Sequence, residues 1–371
     1  MNQYTFCVPC LFGLEGLVGD ELRRMNIENV VVENGRVFFD GDFTMMARAN
    51  IRLRMGERVL LRLGSFRATS FEELFQGIKA LPLENFIPKE GAFPVKGHSL
   101  NSQLHSIPDC QSIIKKAAVE RLGKHYQLSW LPETGETYQM QFSIMKDQVD
   151  VFLDTSGAGL HKRGYRAVGN AAPLRETLAA AMVTLARYRG KDVFVDPFCG
   201  SGTIVIEAAL AAMNRAPGLA RGFAAQKWQC VPAQIWRDER KNAMEREYRG
   251  DYKIYGSDHD PESLEIAKSN AKKAGVDHLI EFSLADATRS TMPAESGIII
   301  CNPPYGERMM EQKSAQKLYG YMGKQWAHAA PDFKKYIISS EPEFEHFYGK
   351  KASKKRKLYN GMIKCDLYMY L

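Results

Sequence analysis

The chain reads as an α/β protein: a mostly parallel, seven-stranded sheet with crossover helices, preceded by two smaller α+β modules. Three observations predict this. Beyond residue 160, short and fully apolar runs, VFV (193–195), IYG (254–256) and GIII (297–300), alternate with long helical stretches, the pattern of a parallel sheet covered on both faces. Before residue 160, period-two alternation and turn signals mark antiparallel pairs. A length of 371 residues also exceeds what one core organises, so two or three domains are expected.

The first module spans 1–65. Leu14, Leu17, Val18, Leu22 and Met25 share one helix face, and apolar runs at 30–32 and 37–39 flank the hairpin signal Asn34-Gly35. A second helix near 43–50 and a strand around 59–61 complete a βαββαβ order. The second module spans 66–160. Ser70 is placed as N-cap of the helix FEELFQGIKAL, with Glu73 as its capping-box partner. In SIIKKAAVERL, Ile113, Ile114, Ala117, Ala118 and Leu122 face inward while Lys115, Lys116 and Arg121 face out. Tyr138, Met140, Phe142 and Ile144 alternate strictly, as do Val149, Val151 and Leu153 beyond the turn at Lys146-Asp147, giving a hairpin with one buried face. HKRGYR (161–166) reads as a linker into the third domain, 161–371.

Hydrophobic content of 45% and charged content of 25% are those of a globular protein. No apolar run approaches the ~20 residues of a membrane span, and the N-terminus lacks a signal peptide's basic start and apolar core. The seven cysteines contain a single C-x-x-C (Cys7, Cys10) without a second pair at zinc spacing. A reduced, cytoplasmic protein with no metal is therefore expected. The net charge of +7 favours a polyanionic partner. Its densest cluster, KKASKKRK (350–357), stands open between a solvated loop and a phosphate contact.

The chemistry lies at four strand ends. The first strand of the third domain runs into Asp196-Pro197-Phe198-Cys199-Gly200-Ser201-Gly202-Thr203, whose glycines allow a tight turn and close approach to a ligand at a helix N-terminus. A dinucleotide fingerprint would need a third glycine where Val205 stands, and Asp196 would repel a pyrophosphate; the acid suits a ligand with a positive end. The second strand ends in Asp258-His259, where a carboxylate can accept both ribose hydroxyls, and the third in Asp286-Ala287, where one can accept from an adenine amino group. The fourth ends in Asn302-Pro303-Pro304-Tyr305, within NPPYGER. Two prolines there cannot extend the sheet, and they fix the angles of the groups beside them.

This order resembles the class I S-adenosylmethionine-dependent methyltransferases, and NPPY resembles the signature of members that methylate planar amino or amide nitrogens. AAPLRETLAAA (171–181) is similar to the family's helix before the cofactor strand. The N-terminal half resembles a ferredoxin-like module followed by a THUMP domain, an RNA-binding fold. The whole arrangement is similar to the guanine-N2 methyltransferases of large-subunit ribosomal RNA. The resemblance implies a Rossmann-like domain binding S-adenosylmethionine through Asp196, Pro197, Phe198, Cys199, Gly200, Gly202, Asp258, His259, Asp286 and Ala287. It implies an RNA partner, for which Lys96, Lys115, Lys116, Lys162, Arg163 and Arg166 are candidate contacts. Asn302 and Pro303 would present two carbonyl acceptors to a guanine amino group, Pro304 would stiffen the turn, and Tyr305 would stack on the base. Transfer-RNA guanine-N2 methyltransferases share the domain order, and DNA-adenine and protein-glutamine enzymes share NPPY, so these substrates stay open. So does a non-catalytic RNA-binding protein, against which the intact acids and glycines argue. The segment 214–250, with Trp228 and Trp236, has no functional account from sequence.

Overall fold

The computed structural model describes residues 3–166, 174–289, 291–305, 309–361 and 363–371. Residues 171–173 of the helix expected before the cofactor strand, and Gly306–Arg308 of NPPYGER, lie outside the described residues.

The N-terminal half is built from β1 (Tyr4–Pro9), α1 (Glu15–Arg24), β2 (Val31–Glu33), β3 (Arg36–Gly41), α2 (Phe43–Arg52), β4 (Leu60–Arg67), α3 (Phe71–Lys79), β5 (Val95–Leu100), α4 (Ile107–Tyr126), β6 (Met140–Met145) and β7 (Gln148–Asp154). Its seven strands form one sheet in the order β2-β3-β1-β4-β7-β6-β5. The strand β4 crosses the expected boundary at residue 65 and pairs with both halves: Leu61 faces Phe6 of β1 and also Leu153 of β7. The two N-terminal modules therefore share one sheet. The β6–β7 hairpin turns at Lys146 and Asp147, both at positive φ (51° and 64°) as a tight primed turn requires. Along it Met140, Phe142, Ile144, Val149, Val151 and Leu153 are all buried. The start of α3 is capped as expected by Ser70, whose Oγ accepts from Glu73 N (3.2 Å). The Glu73 carboxylate also takes the N–H and hydroxyl of Thr69 (2.7 and 2.9 Å).

The C-terminal half continues with α5 (Glu176–Leu185), β8 (Phe194–Asp196), α6 (Thr203–Ala212), α7 (Ala233–Glu245), β9 (Ile254–Asp258), α8 (Pro261–Ala274), β10 (Ile280–Leu284), β11 (Ser296–Cys301), α9 (Met309–Ala329), β12 (Asp332–Ser339), α10 (Phe344–Tyr348), β13 (Lys354–Asn360) and β14 (Ile363–Tyr370). Its sheet runs β10-β9-β8-β11-β12-β14-β13, parallel from β10 to β12, with β14 antiparallel to β12 and β13 antiparallel to β14. This is the mostly parallel, seven-stranded sheet the sequence predicts. Alternate residues of β11 enter different cores. Ile298 and Ile300 pack with α5 and α6, while Ile299 and Cys301 pack with Tyr319, Met322 and Trp326 of α9. Both faces are thus covered, which is why the strands read as unbroken apolar runs.

The expected linker at 161–166 is pinned by two buried side chains, Arg163 and Tyr165. Arg163 is 3% exposed and donates to the Leu160 carbonyl (2.7 Å), to the Arg54 carbonyl of the N-terminal half and, more distantly, to Glu207 of α6 (3.4 Å). The segment 214–250 holds the halves together. Gly218 N donates to the Ile51 carbonyl (2.8 Å), Trp228 stacks on Tyr138 (5.2 Å between centroids), and Glu239 of α7 binds Arg48 through both oxygens.

Candidate active site

In the C-terminal sheet β8 and β11 are neighbours, and the chain winds outward from them in both directions. The carboxyl ends of such a pair leave a crevice that no crossover helix fills. A cavity of about 1020 Å³ opens there. It is lined by the ends of β8, β9, β10 and β11, by α9, and by the tip of the β13–β14 hairpin. Of the residues expected to bind cofactor or substrate, Asp196, Pro197, Phe198, Cys199, Gly200, Asp258, His259, Asp286, Ala287, Asn302, Pro303, Pro304 and Tyr305 all lie on its wall.

The glycine turn is held from two strands. Asp196 is 1% exposed; its Oδ1 accepts from Phe198 N (3.1 Å), and its Oδ2 is buried without a partner among the described residues. Burial pushes this carboxyl well above the usual carboxylate range. Asp258 ties β9 to the turn, because its Oδ2 accepts from Gly200 N (2.8 Å) while Oδ1 accepts from Asp260 N (3.1 Å). Gly200 adopts φ +48°, and a Cβ there would meet nothing within 4 Å, so the backbone borders open space. Gly202 differs from its expected role: it is not on the cavity wall. At φ +82° it starts α6, and a Cβ would come within 3.1 Å of Ala267 on α8, so it serves helix packing. Asp286 Oδ1 accepts from the Thr288 hydroxyl (2.7 Å) and N–H (2.9 Å), which hold its carboxyl below the usual range.

The NPPY turn is anchored from below. The Tyr319 hydroxyl of α9 donates to the Pro304 carbonyl (2.9 Å) and accepts from Ser339 Oγ (3.3 Å), whose oxygen in turn accepts from Glu341 N (3.1 Å). In this structure the Tyr305 hydroxyl donates to Asn302 Oδ1, so ring and acceptor hold each other. Its partner is only three residues away, but a motif does not say that the two side chains meet.

The lining has four carboxylates, Asp196, Asp258, Asp286 and Glu311, and among the described residues no lysine or arginine. Such a wall repels a pyrophosphate and accepts a cation. The partnerless Asp196 Oδ2 beside it fits the charge of S-adenosylmethionine, a sulfonium with an ammonium group.

Comparison with known proteins agrees with this geometry. Residues 163–369 match a family described as the RMKL-like methyltransferase domain. The chain belongs to that family. In this RMKL-like methyltransferase, residues 5–60 further match an RlmL ferredoxin-like domain and 68–154 a THUMP domain. It is 44% identical over its whole length to YpsC of Bacillus subtilis (strain 168), a candidate RNA methyltransferase, covering 96% of that protein. It is 33% identical over 99% of its length to the ribosomal RNA large subunit methyltransferase K/L of Psychromonas ingrahamii, of which it spans half. Among solved structures, it matches a Listeria monocytogenes protein named as a predicted N6-adenine-specific DNA methylase with TM-score 0.95 and 44% identity, covering 100% of this chain and 97% of that one. It matches SMU.472, a methyltransferase candidate complexed with SAH, with TM-score 0.94 and 39% identity, covering 100% and 98%. S-adenosylmethionine is the cofactor of this methyltransferase class.

Three of the expected RNA contacts are committed elsewhere. Arg163 is buried in the junction described above. Lys115 donates to Glu133 (2.6 Å) and lies 3.5 Å from the Phe93 ring centroid, fixing a loop of the THUMP module. Arg166 donates to Thr203 Oγ1 (2.6 Å) and the Leu174 carbonyl (3.2 Å), behind the cofactor turn. Lys96, Lys116 and Lys162 are exposed. Sequence reasoning missed the α9 wall (Glu311, Ser314, Ala315, Leu318) and the hairpin tip (Asn360, Ile363). No short motif marks either of them.

Proposed function

We propose that the chain methylates the exocyclic N2 of a guanine in large-subunit ribosomal RNA, in the cytoplasm. The observation that carries this reading is the NPPY turn at the end of β11, on the same cavity wall as Asp196, Asp258 and Asp286. Asp258 would hold the donor's ribose through the lone pairs that Gly200 and Asp260 leave free, Asp286 its adenine amino group, and Asp196 its ammonium. Bound S-adenosylmethionine supplies an electrophilic methyl group.

The chain's own task is to turn a poor nucleophile toward that group. A guanine amino nitrogen delocalises its lone pair into the ring. When the Asn302 and Pro303 carbonyls each accept one of its N–H bonds, the lone pair is drawn out of the ring plane. The paired prolines keep both acceptors from rotating, so the gain is in positioning. The arriving amino group displaces the Tyr305 hydroxyl from Asn302 Oδ1, and the released ring covers the base. No strong base is needed beforehand: as the nitrogen–methyl bond forms, the sulfur–methyl bond breaks to leave a neutral thioether, and the methylated nitrogen, now acidic, releases its proton to water.

The ferredoxin-like and THUMP matches and the named relatives support RNA. The DNA name of the Listeria protein is compatible with the same acceptor pair, since adenine N6 is also an exocyclic amine. Substrate choice is tested by offering the enzyme labelled donor with protein-free ribosomal RNA, transfer RNA and DNA, and identifying the product nucleoside by mass. N2-methylguanosine in large-subunit RNA is expected. N2-methylguanosine in transfer RNA alone would move the assignment to transfer RNA, and N6-methyladenine in DNA would overturn it. Asn302→Ala should lower kcat by about 100-fold or more, as for the loss of a transition-state contact, with donor affinity unchanged in calorimetry. Retention of most activity would remove the paired acceptors from the reaction.

A further inference from the structure

The first turn of the N-terminal module and the last hairpin of the methyltransferase domain meet at the rim of the active-site cavity. Phe12 is 60% exposed, a large apolar ring left in water. It is nonetheless rigidly placed. The Glu15 carboxylate accepts from Gly13 N and from Gly35 N (2.9 Å each), which clamps the turn that carries it. A Cβ on Gly35 would come within 3.2 Å of the Phe12 ring, so the ring lies directly on that glycine's backbone. Arg356 of β13 donates to the Gly13 carbonyl and locks the turn to the hairpin. Across this contact Phe12 meets Tyr359 edge to face, with centroids 6.3 Å apart at 66°.

Tyr359 stands between two cations. Lys364 is its cross-strand partner on β14, and Lys357 is two residues back on the same face of β13; both lysines are exposed. Asp366 stands opposite Lys357, which leaves the patch with a net positive charge. Beyond Tyr359 the hairpin runs into Asn360 and Ile363, which already line the cavity. A preorganised aromatic pair, Phe12 exposed and Tyr359 half-buried, flanked by lysines is what a single-stranded nucleic acid needs: a π-face for a base and charges for its phosphates.

We infer that Phe12 and Tyr359, flanked by Lys357 and Lys364, form the platform on which a single-stranded RNA nucleotide next to the target base stacks before the target enters the cavity. The inference rests on the RNA reading above and adds the path that the RNA takes. It also gives the basic cluster at 350–357 a role through its Lys357 end. Lys355 is a different matter, since it is paired with Glu345 (2.6 Å).

The test is fluorescence anisotropy of a short, dye-labelled, single-stranded RNA across a salt series. Phe12→Ala should weaken binding about tenfold, the loss of one base stack, and Phe12→Trp should preserve it. The double change Lys357→Ala and Lys364→Ala should flatten the slope of log affinity against log salt by about 1.4, two phosphate contacts on a single strand. Melting temperature and donor affinity should stay at wild-type values, because Phe12 supports no core. If the wild type binds RNA and all three variants bind it with unchanged affinity and salt slope, the platform is refuted. If the wild type itself binds no RNA but methylates DNA, the RNA reading falls first and takes the platform with it.

Discussion

A carboxylate oxygen sealed from water with nothing to accept is destabilising, and Asp196 carries one at the wall of the cofactor cavity. Because burial raises its pKa, the folded state binds its proton more tightly than the unfolded chain does. The stability it contributes is therefore complete below the ordinary carboxylate range and is lost as pH rises through the folded value. A cationic ligand reverses the balance by favouring the ionised form. Asp196→Asn should accordingly gain melting temperature relative to the wild type as pH is raised, without ligand, while its donor affinity drops and loses its pH dependence. Thermal melts and calorimetry from acid to neutral pH check both halves. A wild-type affinity independent of pH would remove Asp196 from the ammonium. Asp196, Asp258, Asp286 and Asn302 were legible in the sequence because each follows an apolar run directly, so their address is local. Arg163 was not, since its partners Glu207 and Arg54 are 44 and 109 residues away and only the folded chain brings them together.

Among the elements, α9 shows how one helix can set the angle of a turn it does not belong to. The Tyr319 side chain is fully buried, and its hydroxyl links the Pro304 carbonyl to Ser339 at the end of β12. Tyr319→Phe keeps the packing but leaves that carbonyl unpaired, at about 1–3 kcal/mol of stability. If the turn's angle matters, kcat should fall by about tenfold to a hundredfold, the scale of a misplacement of roughly 1 Å, with little change in donor affinity. A lowered melting temperature with intact kcat would make Tyr319 merely structural. The strand β13 was hidden for a related reason. Lysine is depleted in strands generally, so KKASKKRK reads as loop, yet β13 is the last strand of its sheet and lysine is what protects an open edge. The parallel strands were plain because burial on both faces leaves only apolar residues to choose from.

For the molecule as a whole, the question is what keeps the N-terminal sheet in register with the methyltransferase domain. The segment 214–250, silent in the sequence, supplies the answer through contacts that no local pattern encodes. The Glu239 side chain is 5% exposed and binds Arg48 of α2 through both oxygens (2.9 and 3.1 Å), with Arg52 at 3.6 Å. Glu239→Ala would leave two largely buried guanidinium groups without their counter-charge, a loss of roughly 3–5 kcal/mol. The consequence for function depends on where the strain goes. The cofactor cavity is built entirely from the C-terminal half, so donor binding should persist. RNA that must touch both halves should instead bind less well once they can move apart. The expected signature is a lowered melting temperature and a raised KM for RNA, with the donor's dissociation constant unchanged. Should donor affinity fall in step with RNA affinity, the Arg48–Glu239 contact would be supporting the methyltransferase fold itself rather than its alignment with the N-terminal sheet.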